Sequence, residues 1–280
     1  MMGAKKKRNF YRFLIHLALV LYCIITLAPL MIVLSSSLRT IGNHVSHLKL
    51  FTEFSAESYV TAFKKMNFPI VFANSLMTTG GSLAVIVLLG AAASYPTSRI
   101  KSGWSRFLYF FFIAGLVIPA QMTIIPVSQM FSTLHIPGTR FTPMVMFITC
   151  SLPFTTFLYT GFLKGVPVEV EEAAYLDGAG LLQRFGRIVF PLLKPATVSV
   201  VITQGIWIWN DYFFSMVFVS KSGQFTLPVA MLQFLGDREN PAQWNVLFAS
   251  CFLCALPLII LFGVFQKQFV NGVAAGAVKG

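Results

Sequence analysis

The sequence predicts an all-α fold: one domain over 1–280, built as six transmembrane helices with a helix–turn–helix loop between the fourth and the fifth. Three observations carry that prediction. Only 11% of the 280 residues are charged and 56% are apolar, against a charged share of about 25% in soluble domains. The missing charge leaves uninterrupted runs at 13–38, 66–98, 107–139, 141–163, 195–210 and 240–266; each approaches or exceeds the roughly 20 residues that a helix needs to cross a bilayer core. With the N-terminus inside, fourteen of the 21 Lys and Arg fall on inner segments and seven on outer ones, the positive-inside bias. The net charge of +12 is therefore read as orienting the spans and touching anionic lipid, not as a nucleic-acid surface. Both termini are expected in the cytoplasm.

Taken in order, the first span is 13–37, behind Lys5-Lys6-Lys7-Arg8. A cleaved signal core is about 7–15 residues long, whereas this run continues to Leu38, so a retained span is expected. Outer loop 39–69 follows, with a short surface helix near 55–63. The second span, 70–95, places Gly80 and Ala84, and Gly90 and Ser94, at a small-xxx-small spacing that lets helices approach closely within the bundle. The third, 107–130, contains Pro119 and Pro126, and the fourth, 142–163, contains Pro153. These prolines, with Pro29 in the first span and Pro257 in the sixth (244–266), each remove a backbone donor and should kink their helices. The fifth, 196–219, admits one acid, Asp211. In lipid, backbone groups must pair within their own segment, which requires helices throughout. Cys23, Cys150, Cys251 and Cys254 all fall in spans, and Cys251-x-x-Cys254 reads as packing one helical turn apart, not as a redox or metal pair. His44-x-x-His47 is expected to be solvated, and no residue set has metal-ligand spacing.

Loop 164–195 holds four of the nine acidic residues, Glu169, Glu171, Glu172 and Asp177. Pro167 suits a first helical position, and the acids that follow complement the helix dipole. Gly178 permits a sharp break, and a second short helix near 181–189 should stop at Pro191. Ala173 and Ala174 would give the first helix a thin face able to enter a groove, with Glu172 placed to meet an arginine there. Because 164–166 and 192–195 tie the loop to the fourth and fifth spans, whatever moves it must move them.

Glu172-Ala173-Ala174, three residues, Gly178, nine residues, Ile188, two residues and Pro191 resemble the cytoplasmic coupling loop of bacterial binding-protein-dependent ABC-importer permeases. Val166-Pro167-x-Glu169, Asp177-Gly178-Ala179, Trp209-Asn210-Asp211 and the C-terminal Gln268-Phe269-Val270-x-Gly272 are similar to the carbohydrate, maltose-type branch. The likeness covers nearly the whole chain; Phe190 stands where the broader pattern prefers Leu. The resemblance implies a permease subunit of the bacterial inner membrane that forms a carbohydrate pathway and has no catalytic, metal or cofactor site of its own. It also implies the partners: a second related permease, an ATPase dimer that uses ATP and Mg, and an extracytoplasmic solute-binding protein. Outer loop 220–243 is similar to the family's segment that reaches toward that binding protein, and the tail after Lys267 to one that inserts toward the ATPases.

An isolated carboxylate inside a span is costly, so Asp211 should face a polar interior. On a continuous helix Gln204, Trp207, Asn210 and Asp211, with Ser215 one turn on, share a face. Such a face could line a sugar pathway, the aromatic rings stacking on sugar and the amides and carboxylate bonding its hydroxyls. Gln121, Thr123, Gln129, Asn74, Thr78 and Thr79 are weaker lining candidates. An ion-coupled secondary transporter is the alternative, but this chain has no intramembrane base and no clear repeat. An intramembrane enzyme lacks any nucleophile–base pair or phosphate loop.

Overall fold

The computed structural model describes residues 2–43, 46–237 and 241–277, all helical or loop, with no strand among them. In chain order the helices are α1 (Met2–Ser37), α2 (Glu57–Lys65), α3 (Phe68–Arg99), α4 (Gly103–Ala114), α5 (Ile124–Thr133), α6 (Thr142–Lys164) and α7 (Glu169–Leu176). Then come α8 (Leu181–Arg184), α9 (Phe190–Leu192), α10 (Lys194–Trp209), α11 (Phe213–Phe218), α12 (Leu227–Met231) and α13 (Trp244–Ala277). The chain divides into two compact units, Met1–Phe68 with Met231–Leu256, and Pro69–Ala230 with Pro257–Gly280.

In the first unit, the most apolar stretch of α1 within Asn9–Ser37 has no buried residue, the signature of a helix whose surroundings are apolar on every side. Its C-terminal end organises the following loop. Ser35 Oγ accepts from the Phe51 amide at 2.6 Å, Ser36 Oγ pairs with His47 Nδ1 at 2.9 Å, and Ser37 Oγ with the Tyr59 hydroxyl at 2.9 Å. The fully buried Arg39 donates to the Ser46 and Lys49 carbonyls. Glu53 accepts from Asn43 and from Thr40, bonds that hold its carboxyl below the usual range, with the Asn43 amide the largest cause. His47 is therefore half-buried and bonded rather than simply solvated as expected: its ring also packs at 86° to that of Phe248. His44 lies outside the described residues. The surface helix expected near 55–63 is α2.

The second unit packs Ile86, Phe147, Tyr159, Leu163, Leu193 and Val200 into one core. Helix α3 crosses α6 at Gly90, where an added Cβ would lie 2.3 Å from Thr155 Cγ2. Thr155 Cβ would itself lie 3.1 Å away, a contact that no change of χ1 relieves. Gly90→Val should therefore force the helices apart at a cost of about 1–3 kcal/mol, read as a lower melting temperature of the detergent-solubilised protein. An unchanged melting temperature would refute the contact.

Among the described residues, four helices are long and apolar enough to cross a membrane, at Asn9–Ser37, Phe68–Arg99, Thr142–Lys164 and Trp244–Gly263; a fifth follows if the bent pair Leu181–Leu192 and Lys194–Trp209 is one span. The helices run on through Pro29, Pro153 and Pro257. The expected third span, 107–130, is not one helix. Helix α4 ends at Ala114, the chain is extended at Pro119 (φ −63°, ψ 120°), and one 3₁₀ turn leads into α5. Proline at 119 disfavours helix in the residue before it, and Gly115 fits against Pro153, whose Cγ would lie 2.8 Å from a Cβ there. The expected fifth span, 196–219, also breaks, between Trp209 and Phe213.

Candidate functional site

Helix α7 begins with Glu169, Glu171 and Glu172 in its first turn, where carboxylates oppose the positive end of the dipole. It ends in a Schellman motif: Gly178 N–H donates to Tyr175 O at 3.0 Å and Ala179 N–H to Ala174 O at 2.9 Å. Gly178 sits at φ +81°, a conformation that side chains resist, with no atom within 4 Å of where a Cβ would stand. The requirement for glycine is thus conformational, not spatial.

After the turn, Gly180 N–H donates to Gln183 Oε1 at 3.2 Å and starts the second arm. This arm does not stop at Pro191 as expected. A π turn at Phe185–Val189 leads into α9, Pro191 included, and the chain bends by 70° at Leu193 before α10. The π-helix is rare and occurs mostly as single turns inside α-helices; here it precedes Pro191, which has no N–H with which to continue the ladder. The two arms touch through Arg184, whose guanidinium lies 5.1 Å from the centre of the Tyr175 ring.

Glu172, Ala173, Asp177, Gly178 and Pro191 are exposed, Ile188 is half-buried and Ala174 is buried. The two alanines therefore do not share an open face: about 100° apart around the helix, one turns outward and the other packs inward. Sequence reasoning missed two features. The first is Glu171, 4% exposed, whose Oε1 accepts from Arg99 Nε at 2.7 Å and whose Oε2 accepts from the Tyr95 hydroxyl at 2.9 Å. Arg99 Nη2 also donates to Val166 O at 3.0 Å, so the loop is fastened to the end of α3 as well as to α6 and α10. The second is a pair of leucines flanking the turn, Leu176 at 85% and Leu182 at 83% exposure. Apolar residues beside the glycine of a polar loop were the available signal.

The pathway candidates do not share one helical face, because α10 ends at Trp209. Asp211 caps α11: Oδ2 accepts from Ser215 N–H at 3.0 Å and Oδ1 from Phe214 N–H at 3.3 Å. Aspartate competes with helical backbone bonds and favours such caps, so the break was signalled by the acid itself. Gln204 Oε1 accepts from Ser151 Oγ at 2.9 Å. The Asn210 amide donates back to Ile206 O at 2.8 Å, and its residue is exposed. Trp207 meets Phe147 and Phe214 edge-on. Of the weaker candidates, Asn74 and Thr78 are buried in bonds to neighbouring loops.

Residues 86–274 match the family described as binding-protein-dependent transport system inner membrane component. The chain belongs to that family. The matched stretch takes in this inner membrane component's helix–turn–helix loop and the α10–α11 break. It is 32% identical over 253 residues to the melibiose/raffinose/stachyose import permease protein MelC of Bacillus subtilis, covering 90% of this chain and 91% of the relative. It is 30% identical over 282 residues to the multiple sugar-binding transport system permease protein MsmG of Streptococcus mutans, covering 98% and 100%. Its fold is shared with a chain in the crystal structure of a bacterial ABC transporter involved in the import of the acidic polysaccharide alginate, at TM-score 0.80, 21% identity and coverage of 93% and 97%. None of these likenesses supports an ion-coupled carrier.

Proposed function

We propose that this protein is a pathway-forming permease subunit of a bacterial carbohydrate ABC importer, working with a second permease, two ATPase subunits that use ATP and Mg, and an external solute-binding protein. In this reading α1, α3, the broken pair α4–α5, α6, the broken pair α10–α11 and the first part of α13 are six spans. The termini and loop 164–195 lie in the cytoplasm. The sugar permeases among its relatives favour a carbohydrate cargo. Trp207 and Asn210, beside the break at 210–212, are the pathway residues that keep exposed surface for a sugar.

The observation that carries the reading is the exposed pair Leu176 and Leu182 around Gly178, next to the exposed Glu172. Apolar side chains at the tip of a polar elbow mark a docking surface, and the elbow is fastened to helices α3, α6 and α10. ATPase closure would push the elbow, and the helices would turn between inward-open and outward-open arrangements. Leu182→Asp, or Leu176→Asp, should place a charge in the centre of that contact. A hot spot of about 2 kcal/mol corresponds to about thirty-fold in affinity, read as loss of the ATPase on co-purification and loss of uptake. ATPase that still co-purifies fully with both variants would sink the docking reading.

A further inference from the structure

Helix α3 is held by polar bonds at both of its ends, and each end is held to a loop. At one end Tyr95 and Arg99 grip Glu171 of α7. At the other, the fully buried Asn74 donates to the Gly223 and Phe225 carbonyls at 3.1 and 3.0 Å, and Ser75 Oγ accepts from Leu227 N–H at 2.8 Å. Asn74 Oδ1 also accepts from Arg140 Nη1 at 2.6 Å, and Thr78 donates to the Arg140 carbonyl. Between Asn74 and Arg99 the helix is unbroken, Pro96 included. At 1.5 Å per residue that length is about 38 Å, enough to cross a bilayer. A continuous helix cannot be shortened, so a displacement imposed at one gripped end must emerge at the other or break the grip.

We propose that α3 is a transmission strut: it carries motion of the 164–195 elbow to the outer segment 221–227, through Arg99 and Tyr95 at one end and Asn74 at the other. This rests on the proposed function, which places the ATPase at the elbow and the binding protein at the outer loop. Arg99, Tyr95 and Asn74 are positioning residues; none needs to touch the cargo. The two grips differ in chemistry from the many single hydroxyl-to-carbonyl bonds within helices. The inner one is a charge-assisted pair, costly to leave half-made when buried. The outer one satisfies two loop carbonyls with one amide.

Spatial continuity alone does not establish coupling, so the test reads motion. Lys221, exposed on the outer segment, is changed to cysteine in the full complex purified with its ATPases. Its labelling rate by a membrane-impermeant maleimide is compared with and without ATP plus vanadate. The nucleotide should change that rate in the otherwise unaltered complex. Arg99→Ala and Asn74→Ala should each shrink the change by about five-fold or more, the lower range of allosteric coupling, and Arg99→Lys should restore most of it. Tyr159→Phe breaks a core bond to Thr197 away from both grips and should leave the change intact. If either alanine variant fails to assemble, Tyr95→Phe and Thr78→Val replace them. A nucleotide effect that survives Arg99→Ala, that is absent at the start, or that Tyr159→Phe also removes, overturns the strut. If such a complex still holds working ATPases, the proposed function stands; a complex without an ATPase overturns both.

Discussion

Gly178→Val should cut ATP-driven uptake to below about a tenth of the wild-type rate while leaving the amount of inserted protein unchanged. The backbone at 178 has φ +81°. An L side chain there costs about 1–2 kcal/mol, and a β-branched one is a genuine outlier. Each 1.4 kcal/mol is a factor of about ten in an equilibrium constant. Helix α7 has eight residues, well short of the ~12–15 at which isolated helices become even marginal, so it depends on its ends. Straightening the turn frees the Ala174 and Tyr175 carbonyls and separates Leu176 from Leu182. No atom crowds the position, so folding of the spans is unaffected. Gly178→Asn tolerates the left-handed conformation and should keep most of the uptake. Sugar uptake by whole cells, set against permease abundance in their membranes, decides the matter; full transport by the valine variant defeats the elbow.

Asp211→Ala should lose most of the assembled complex, and uptake with it, while Asp211→Asn keeps the complex. The carboxylate accepts from two amides at the start of the six-residue helix α11. Removing such a cap costs about 0.5–2 kcal/mol. On the proposed six-span reading these amides lie at membrane depth, where no water is there to take them, and leaving them unpaired adds to that. Asparagine retains one acceptor and holds the break. A carboxylate that only lined a sugar pathway would cost uptake more than assembly; the cap reverses that order. Quantifying complex and uptake together for both variants separates the readings. If the alanine variant assembles normally but transports nothing, the carboxylate acts on the cargo pathway rather than on the fold.

The helix ends and turns of loop 164–195 were legible because they depend on local chemistry. Acids at 169, 171 and 172 mark a helix start and a glycine at 178 a left-handed turn. The same holds for the small-residue face of α3, where Gly90 meets α6. What was not legible came from interruption and from distant pairing. Runs 107–130 and 196–219 look continuous in hydropathy, which measures transfer into lipid and is blind to whether the backbone ladder is whole. Pro119 and Asp211 break them. Ala173 and Ala174 look equivalent in the sequence, but one is buried and the other exposed once α7 has a neighbour. Pro191 looked like a stop, and a π turn carried the helix past it.

By itself the sequence determined that this chain crosses a membrane as helices and which loop bends at a glycine, because apolar length and backbone stereochemistry act within a few residues. Only the tertiary structure decided that Glu171 closes on Arg99 and Tyr95, that Asn74 holds the loop at 223–225, and that Leu176 and Leu182 stay uncovered. Those pairings join residues up to 151 positions apart. Whether a side chain is buried, bonded or free depends on what the rest of the chain brings beside it, and no local pattern records that.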